Sequence, residues 1–390
     1  MERFYKFSLA LLALGMITMS SCTKDDDDDN GGGNLAPIVL DCDFFETDQV
    51  LSDDPDRPVD YVVECLANVR GEIIVQPGVV IEFADEAGLA IDGSGYLKVE
   101  GTATKKVTFT AVNKVKGAWK GIVYYNQSVN NSLEHTIVRY AGGGTFNSNG
   151  DLAAVLCYTC KISVSNTEIS NSANTGFAVP YASSEVREFS NNVLTDNDNY
   201  PVETYLMYAH AFESNNDFTG NAKDYFFVFA GRYIEGERTW HALNVPYRID
   251  GEIQMNSDEG LTIEAGAELR FNPESGIYNY GSLIIKGTAS NPVLLTGYTE
   301  SPGAWLGILN DSDDVRNLID HAEIAYAGGG ALNSNGDLGA VIVWASSYTT
   351  ISNTTIRDSG SSCGINAPYS GTTLNTSNLT FTNITTDICQ

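Results

Sequence analysis

The feature that most constrains this chain is a long internal duplication. Residues 117–122 match residues 303–308, residues 140–144 match 326–330, and residues 147–152 match 333–338. All three matches share one offset, which takes Gly117 to Gly303 and which we call the repeat offset. The chain therefore contains two tandem units, which begin near Pro58 and Pro246.

A shorter period runs inside each unit, in which an Asn is followed by an apolar residue and then by Asn, Asp or Gly. The frame occurs at Asn166/Ile169/Asn171, Asn191/Leu194/Asp196, Asn215/Phe218/Gly220, Asn353/Ile356/Asp358 and Asn378/Phe381/Asn383. Neighbouring frames within a unit follow one another at nearly equal steps. So short a period, with β-branched and aromatic residues, predicts an all-β solenoid of stacked coils. We expect Asn and Gly at the corners, where the backbone needs positive φ, and hydrogen-bonded Asn ladders between coils.

Cysteine spacing agrees with coils of this length. Besides Cys22, the cysteines group by spacing as Cys42 with Cys65, Cys157 with Cys160, and Cys363 with Cys389. The members of the first and last pairs are separated by close to one coil. Residues one coil apart lie about 5 Å apart, within disulfide range. We therefore expect those two disulfides, while the middle pair fits a short structural bridge, two buried thiols or a redox motif.

The first residues have the layout of a secretory signal. Arg3 and Lys6 precede an apolar run over residues 7–19, which ends at Ser20-Ser21-Cys22. Small residues before a cysteine resemble the lipobox of bacterial lipoproteins, which implies cleavage after residue 21 and acylation, including palmitate, at Cys22. Residues 22–34 carry five consecutive Asp and three consecutive Gly, the composition of an acidic, flexible tether.

These features predict a lipid-anchored outer-membrane protein. Lys24 followed by acidic residues also resembles a surface-export signal, so we expect the protein to face the cell exterior, with a periplasmic orientation as the alternative.

The net charge argues against a nucleic-acid partner. With 22 Lys+Arg against 50 Asp+Glu, the formal charge is −28, and an electrostatic field of that sign repels nucleic acid. We expect a monomer.

Several segments resemble a known family. Residues 261–271, residues 281–289 and the Gly-Ala-Trp-x-Gly-Ile motif resemble Bacteroidetes-type surface lipoproteins with a right-handed parallel β-helix of the pectate-lyase-like superfamily. The resemblance implies roughly a dozen coils in two tandem units, which we place at residues 35–240 and 241–390. That superfamily includes lyases, hydrolases, adhesins and proteins without known activity, so the fold does not choose a function.

A catalytic site has few candidates in this sequence. Neither the clustered aspartates of a polygalacturonase nor the acidic calcium ligands and basic residue of a pectate lyase are evident. Asp196 and Asp198, with Arg187 upstream, are the nearest match. An Asn/Asp-rich corner explains the two aspartates more simply.

A metal site is suggested by two matched loops. Oxygen-bearing side chains alternate with small residues at Asn147, Asn149 and Asp151, and again at Asn333, Asn335 and Asp337. Calcium binds six to eight oxygens in loops that contain a Gly for the sharp bend. The alternative is an Asn-Gly turn that the coil requires. Calcium is the one cofactor that the sequence suggests.

The aromatic-rich segment between the units is the candidate ligand-binding surface. Tyr225, Phe227, Tyr233 and Trp240 lie in it, and adjacent strand residues cannot all face the core. Exposed rings on a solenoid suit sugar stacking. We therefore predict a non-catalytic module that binds an extended glycan or mediates adhesion. The alternatives are a polysaccharide lyase or glycoside hydrolase, or a purely structural surface protein.

Overall fold

The computed structural model describes residues 35–390, in which short parallel strands are joined by turns and loops. Two 3₁₀ helices, η1 (Cys42–Glu46) and η2 (Leu206–Ala211), are the only helices of that stretch. Neither has the length or apolar character of a membrane span. The expected signal segment, Cys22 and the tether lie outside the described residues.

The strands of the first half are short. In chain order they are β1 (Ile38–Leu40), β2 (Gln49–Leu51), β3 (Tyr61–Val63), β4 (Leu66–Val69), β5 (Glu72–Val75), β6 (Val80–Phe83), β7 (Gly88–Ile91), β8 (Tyr96–Glu100), β9 (Val107–Ala111), β10 (Gly121–Tyr124), β11 (Ser132–Glu134), β12 (Thr136–Arg139), β13 (Ala153–Cys157), β14 (Lys161–Ser165), β15 (Glu168–Ser170), β16 (Thr175–Val179), β17 (Glu185–Ser190), β18 (Val193–Thr195) and β19 (Val202–Tyr205).

The second half continues in the same way. Its strands are β20 (Phe226–Phe229), β21 (Arg232–Tyr233), β22 (Glu237–Trp240), β23 (Tyr247–Asp250), β24 (Glu252–Met255), β25 (Gly260–Glu264), β26 (Glu268–Phe271), β27 (Gly276–Asn279), β28 (Ser282–Lys286), β29 (Val293–Gly297), β30 (Gly307–Asn310), β31 (Leu318–Asp320), β32 (Ala322–Ala325), β33 (Val341–Val343), β34 (Tyr348–Ser352), β35 (Thr355–Arg357), β36 (Cys363–Asn366), β37 (Thr373–Ser377), β38 (Thr380–Thr382) and β39 (Thr386–Cys389).

These strands form five parallel sheets. A 13-stranded sheet, from β4 to β38, runs through both halves. A seven-stranded sheet (β1 to β18) and a six-stranded sheet (β2 to β17) accompany its first half, and sheets of seven (β21 to β39) and six strands (β22 to β37) accompany its second. Most strands pair with the strand three positions further along the chain. The prediction of an all-β fold is confirmed, and its long parallel sheets are consistent with a β-solenoid.

Alternating residues build one elongated core. In β5, Ile73 and Val75 are buried whereas Glu72 is exposed, as the two-residue period of a strand requires. The largest side chains stack in the same way in both repeats. Phe83 lies 4.1 Å from Trp119, and Phe271 lies 4.2 Å from Trp305, between ring centroids of nearly parallel rings.

The corners follow the sequence frame. Positive φ, between 48° and 57°, occurs at Asn166, Asn171, Asn191, Asp196, Asn353, Asp358, Asn378 and Asn383. Asn378 Nδ2 donates to Asn353 Oδ1 at 2.8 Å, one coil away. The predicted corners are therefore confirmed at these positions, and a predicted ladder contact is confirmed between Asn353 and Asn378. His135 and His321 occupy corners as well, with φ of 44° and 49°.

The two repeats place equivalent strands in different sheets. β10 belongs to the 13-stranded sheet, but β30, its equivalent at the repeat offset, belongs to the seven-stranded sheet that begins with β21. Likewise, β12 lies in the first seven-stranded sheet and its equivalent β32 in the 13-stranded sheet. The second repeat is therefore advanced by one sheet. Residues 35–390 form one compact unit, and the proposed boundary between residues 240 and 241 remains a prediction.

Three disulfides join the cysteines that the spacing grouped. The Cα–Cα distances are 6.2 Å for Cys42–Cys65, 5.3 Å for Cys157–Cys160 and 5.9 Å for Cys363–Cys389. The first links η1 to the residue before β4, and the last links β36 to β39, which pair in one sheet. The prediction of disulfide bonding is confirmed. Cys157 and Cys160 are fully buried in the core.

Candidate functional site

The two matched Asn-Ser-Asn-Gly-Asp loops adopt the same hydrogen-bonded turn. In the first, Asn147 Oδ1 accepts from the backbone N–H of Asn149 at 3.0 Å, and Asn147 Nδ2 donates to Asp151 Oδ2 at 2.8 Å. Gly150 has φ of 83° at the bend, which a residue without Cβ adopts without strain. The second loop repeats both bonds, at 3.2 and 3.0 Å, between Asn333, Asn335 and Asp337.

A tyrosine hydroxyl closes each loop. Asn149 Nδ2 donates to the hydroxyl of Tyr181 at 3.1 Å, and that hydroxyl donates to Asp151 Oδ2 at 3.0 Å. In the second repeat, Tyr369 accepts from Asn335 Nδ2 at 2.6 Å and donates to Asp337 Oδ2 at 3.0 Å. Burial raises the pKa of Tyr181, so its hydroxyl keeps the proton that it donates.

A second aromatic ring lies beside each of these tyrosines. Tyr158 is 4.7 Å from Tyr181 between ring centroids, and Trp344 is 4.5 Å from Tyr369. All four rings are partly exposed. We call Asn147, Asn149, Asp151, Tyr158 and Tyr181 the first loop site. The second loop site consists of Asn333, Asn335, Asp337, Trp344 and Tyr369.

The loop sites cover apolar patches on the outer faces of two different sheets. The first patch, on the 13-stranded sheet, consists of Ala90, Val123, Ala153, Leu156 and Ala178. The second consists of Leu309, Leu332 and Ile342, on and above the seven-stranded sheet that begins with β21. Because the repeats are displaced by one sheet, the two loop sites do not share a face.

A small acidic cleft adjoins the first loop site. It has a volume of about 180 Å³, and its lining includes Asp151, Asn174, Asn199, Glu203 and Phe229. Asn199 Nδ2 donates to Glu203 Oε1 at 3.3 Å. Burial raises the pKa of Glu203, and the charge of Asp151 acts in the same direction. Two carboxyl groups with different environments are what general acid and base chemistry uses.

The second loop site adjoins a more open groove of about 380 Å³. Its lining includes Pro368, Tyr369, Thr372, Leu374 and Gln390. The groove lining includes no carboxyl side chain. The two loop sites thus share the turn and the aromatic pair, but differ in the groups beside them.

The predicted catalytic residues Asp196, Asp198 and Arg187 do not form a common site, since each has different surroundings. Asp196 occupies a corner with φ of 57°. Asp198 forms an ion pair of 2.6 Å with Lys116. Arg187 lies in β17, and its Nη2 contacts the backbone carbonyl of Asn131 at 3.4 Å. Among residues 35–390, no hydrogen bond or ion pair joins Arg187 to either aspartate.

The predicted aromatic ligand-binding residues have different surroundings. Tyr233 is 46% exposed, whereas Phe227 is buried. The ring of Tyr225 packs edge-on against Tyr298, at 5.7 Å between centroids. Trp240 is fully buried and stacks on Tyr247 at 5.1 Å, so its ring belongs to the core.

The predicted calcium ligands coincide with the two loop sites. In the described part of the chain, no group of three or more His, Cys, Asp or Glu side chains is arranged to hold a metal ion. Both polar atoms of the Asn147 and Asn333 side chains are already hydrogen-bonded within their loops. Calcium binding at these loops therefore stays a prediction, with the hydrogen-bonded turn as its alternative.

Sequence reasoning missed the tyrosines that complete the loop sites. Tyr158 and Trp344 are related by the repeat offset, but differ in type. Tyr181 and Tyr369 lie slightly further apart than the repeat offset, so a search at that fixed spacing does not align them.

Comparison with known proteins found no relative. No family model, curated protein or solved structure matches this chain.

Proposed function

We propose that this protein binds an extended glycan through the two loop sites and acts as an adhesion module. The observation that carries the proposal is the recurrence of one constellation, in which an Asn, an Asp and a tyrosine hydroxyl lie beside a partly exposed aromatic pair. A turn alone would not require an aromatic neighbour in both copies.

The chemistry of these groups suits a sugar. The apolar face of a pyranose ring packs on an aromatic ring, and its hydroxyls exchange hydrogen bonds with carboxylate and carboxamide groups. Tyr158 and Trp344 supply the rings, while Asn149 and Asn335 are exposed. Binding grooves on repeat proteins are long and open, which favours a chain of sugars over a small, enclosed ligand.

The cellular setting of the proposal rests on the sequence. We infer that the sheets close into a right-handed parallel β-helix of roughly a dozen coils, since parallel crossovers are nearly always right-handed. Acylation at Cys22 would hold this body at the outer membrane, and the acidic tether would carry it outward. An acidic surface disfavours polyanions, so a neutral polysaccharide is the expected ligand.

Retention on immobilised polysaccharides tests the binding proposal. The full chain, purified in mild detergent, is compared with Tyr158→Ala and Trp344→Ala variants in affinity electrophoresis over a polysaccharide panel. Because a stacked ring contributes about 1 kcal/mol, each variant should weaken retention several-fold, and the double variant should abolish it. Tyr233→Ala is the matched control, since it removes an exposed ring outside both loop sites. Unchanged retention of the double variant would refute the proposal.

The acidic cleft supports a second candidate function, hydrolysis of a glycosidic bond. Glu203, with its raised pKa, would act as the acid, and Asp151 would act as the base or nucleophile. New reducing ends from a polysaccharide, lost in Glu203→Gln and retained in Asp198→Asn, would establish this activity. Absence of product across a broad panel would leave the binding proposal alone.

A further inference from the structure

A larger cleft lies where the first six-stranded sheet ends. β17 is the last strand of that sheet, and η2 packs against it. The cleft has a volume of about 680 Å³, within the range of small-molecule sites. Its charged and titratable lining residues are Glu185, Arg187, Tyr208, His210, Glu235 and Arg238. None of them belongs to the two loop sites.

Arg187 occupies an irregular position in β17. Ile162 pairs with Val186, but Ser163 pairs with Glu188, so Arg187 is the extra residue of a β-bulge. Bulges redirect a side chain and are common beside functional sites. Because of the bulge, Arg187 has no partner in β14 and stands outside the regular inward–outward alternation of side chains along β17.

Arg238 occupies a core-facing position in β22. It lies on the same strand face as Trp240, which is fully buried, and pairs in register with the core residue Leu261. Its Nε is buried without a hydrogen-bond partner in the protein. An unpaired polar atom of a charged group in such a position costs free energy unless a ligand supplies the partner.

Both arginines lack the carboxylate partner that six other arginines of this acidic chain have, a lack that they share with Arg248, whose guanidinium instead bonds Asn272 and Tyr200. Ion pairs with Asp or Glu are formed by Arg57, Arg70, Arg139, Arg270, Arg316 and Arg357. Within the described residues, Arg187 and Arg238 form none, although both line the same cleft. Of the two glutamates in the cleft, Glu185 pairs with Lys161 at 2.8 Å. Glu235, on the exposed rim, is the remaining acid.

Apart from the 3.4 Å contact of Arg187 Nη2 with the backbone carbonyl of Asn131, the other described polar groups that line the cleft do not bond the two guanidinium groups. Burial, with the charge of Arg238, lowers the pKa of His210 to about 4, so this imidazole is neutral near pH 7. The hydroxyl of Tyr208 accepts from the backbone N–H of Ser184 at 2.8 Å. With Glu185 neutralised by Lys161, two arginines face one glutamate. The local charge is positive, against the sign of the whole chain.

We propose that this cleft binds a single carboxylate group, with Arg187 and Arg238 as its ligands. Guanidinium groups bind carboxylates through parallel N–H···O bonds. One excess positive charge matches one carboxylate, and the volume leaves room for a polar body such as a sugar ring. The proposal stands independently of glycan binding at the loop sites.

Calorimetric titration of the full chain with glucuronate tests this site, with glucose as the neutral match and acetate as the bare carboxylate. We expect glucuronate to bind and glucose to bind at least tenfold more weakly. Acetate binding as tightly as glucuronate would assign the site to small organic acids instead of acidic sugars, within the same proposal. Sulfate binding as tightly as glucuronate would overturn the carboxylate assignment.

Variants assign the binding to the two arginines. Arg187→Gln and Arg238→Gln should each weaken glucuronate binding at least tenfold, and Glu235→Gln should strengthen it. Arg70→Gln is the matched control, because it removes an equally charged side chain from an exposed ion pair elsewhere. If Arg238→Gln fails to fold, the exposed Arg187 carries the test. Unchanged binding in Arg187→Gln, or no glucuronate binding by the unmodified protein, would overturn the proposal.

The loop-site variants separate this proposal from the proposed function. Tyr158→Ala and Trp344→Ala should each weaken polysaccharide retention and keep glucuronate binding. Arg187→Gln should show the reverse pattern. Loss of both activities in all of these variants would mean that the two surfaces are not independent, which would contradict the inference.

Discussion

At the scale of single residues, the corner positions follow from sequence patterns. Asn353 and Asn378 follow from the sequence frame because Asn tolerates the left-handed region better than most residues. His135 and His321 take up the same backbone conformation, with φ of 44° and 49°. Histidine, like Asn and Asp, is enriched at positive φ, and the two histidines lie at matched positions of the two repeats, so a shared corner position was predictable for them too.

Substitution at one corner tests this interpretation. Asn353 has φ of 48°, and its Nδ2 donates to Asp320 Oδ1 at 2.9 Å. Asn353→Ala should lower the free energy of unfolding by about 2 kcal/mol, the sum of left-handed strain and the lost hydrogen bonds with Asp320 and Asn378. Asn353→Gly should recover the strain part and thus lie between the Ala variant and the unmodified protein in urea denaturation. Equal stability of the Ala and Gly variants would contradict the strain argument.

The half-buried His210 predicts a pH dependence of stability. Its pKa is lowered from 6.5 to about 4 in the folded chain, so the unfolded chain binds the proton first as the pH falls. Between pH 6.5 and 4 this residue should therefore reduce the free energy of unfolding by up to about 1.4 kcal/mol per pH unit. His210→Gln should flatten that part of the profile in urea midpoints. An unchanged profile would place the titration elsewhere.

At the scale of elements, strand alternation was predictable but the partners of the loops were not. In β20, Phe226 and Val228 face the core, as two-residue periodicity requires. Phe227 points outward, yet Tyr200 covers it at 4.9 Å between ring centroids. Tyr200 lies outside β20, so the sequence pattern of β20 does not predict this contact. The same holds for Tyr181, which reaches Asp151 of the first loop from a distant part of the sequence.

The loops provide an element-scale prediction. Because Asn149 and Asp151 both bond the Tyr181 hydroxyl, Tyr181→Phe should leave two polar groups without that partner and lower the free energy of unfolding by about 1–2 kcal/mol. Tyr369→Phe should act similarly in the second loop. Chelation of divalent cations should leave the melting temperature unchanged. A fall in melting temperature on chelation, reversed by Ca²⁺, would favour the calcium interpretation of these loops.

At the scale of the whole molecule, the duplication was visible in the sequence but its displacement by one sheet was not. The repeat offset gives the length of a repeat. It does not show how much of the segment that joins the repeats is irregular instead of strand. η2 and two isolated bridges, Phe189–Phe212 and Val193–Asp217, replace regular strands there. Within that segment, η2 contributes Met207, Tyr208 and His210 to the wall of the cleft that contains Arg187 and Arg238.

The displacement has a consequence for binding. Two loop sites over different sheets cannot both follow one straight glycan along a single face, so a bivalent chain should cross-link separate glycan molecules. We predict that the protein makes a solution of its polysaccharide turbid. Tyr158→Ala or Trp344→Ala alone should abolish turbidity while leaving part of the retention. Turbidity that persists in either single variant would argue against one binding site per repeat.

The anchor makes a prediction of its own. If Cys22 is acylated, Cys22→Ala should move the protein from the membrane fraction to the soluble fraction and abolish palmitate labelling. Digestion of the unmodified protein by an added protease on intact cells would place it on the outer surface. Protection from that protease, with membrane association retained, would assign it to the periplasmic face.

The most direct test of two glycan sites is the binding stoichiometry. We would titrate the full chain with a defined oligosaccharide of the polysaccharide that retains it, and measure heat. We predict two equivalents per chain, one equivalent in Tyr158→Ala and in Trp344→Ala, and none in the double variant. A stoichiometry of one that neither variant changes would contradict a binding site in each repeat.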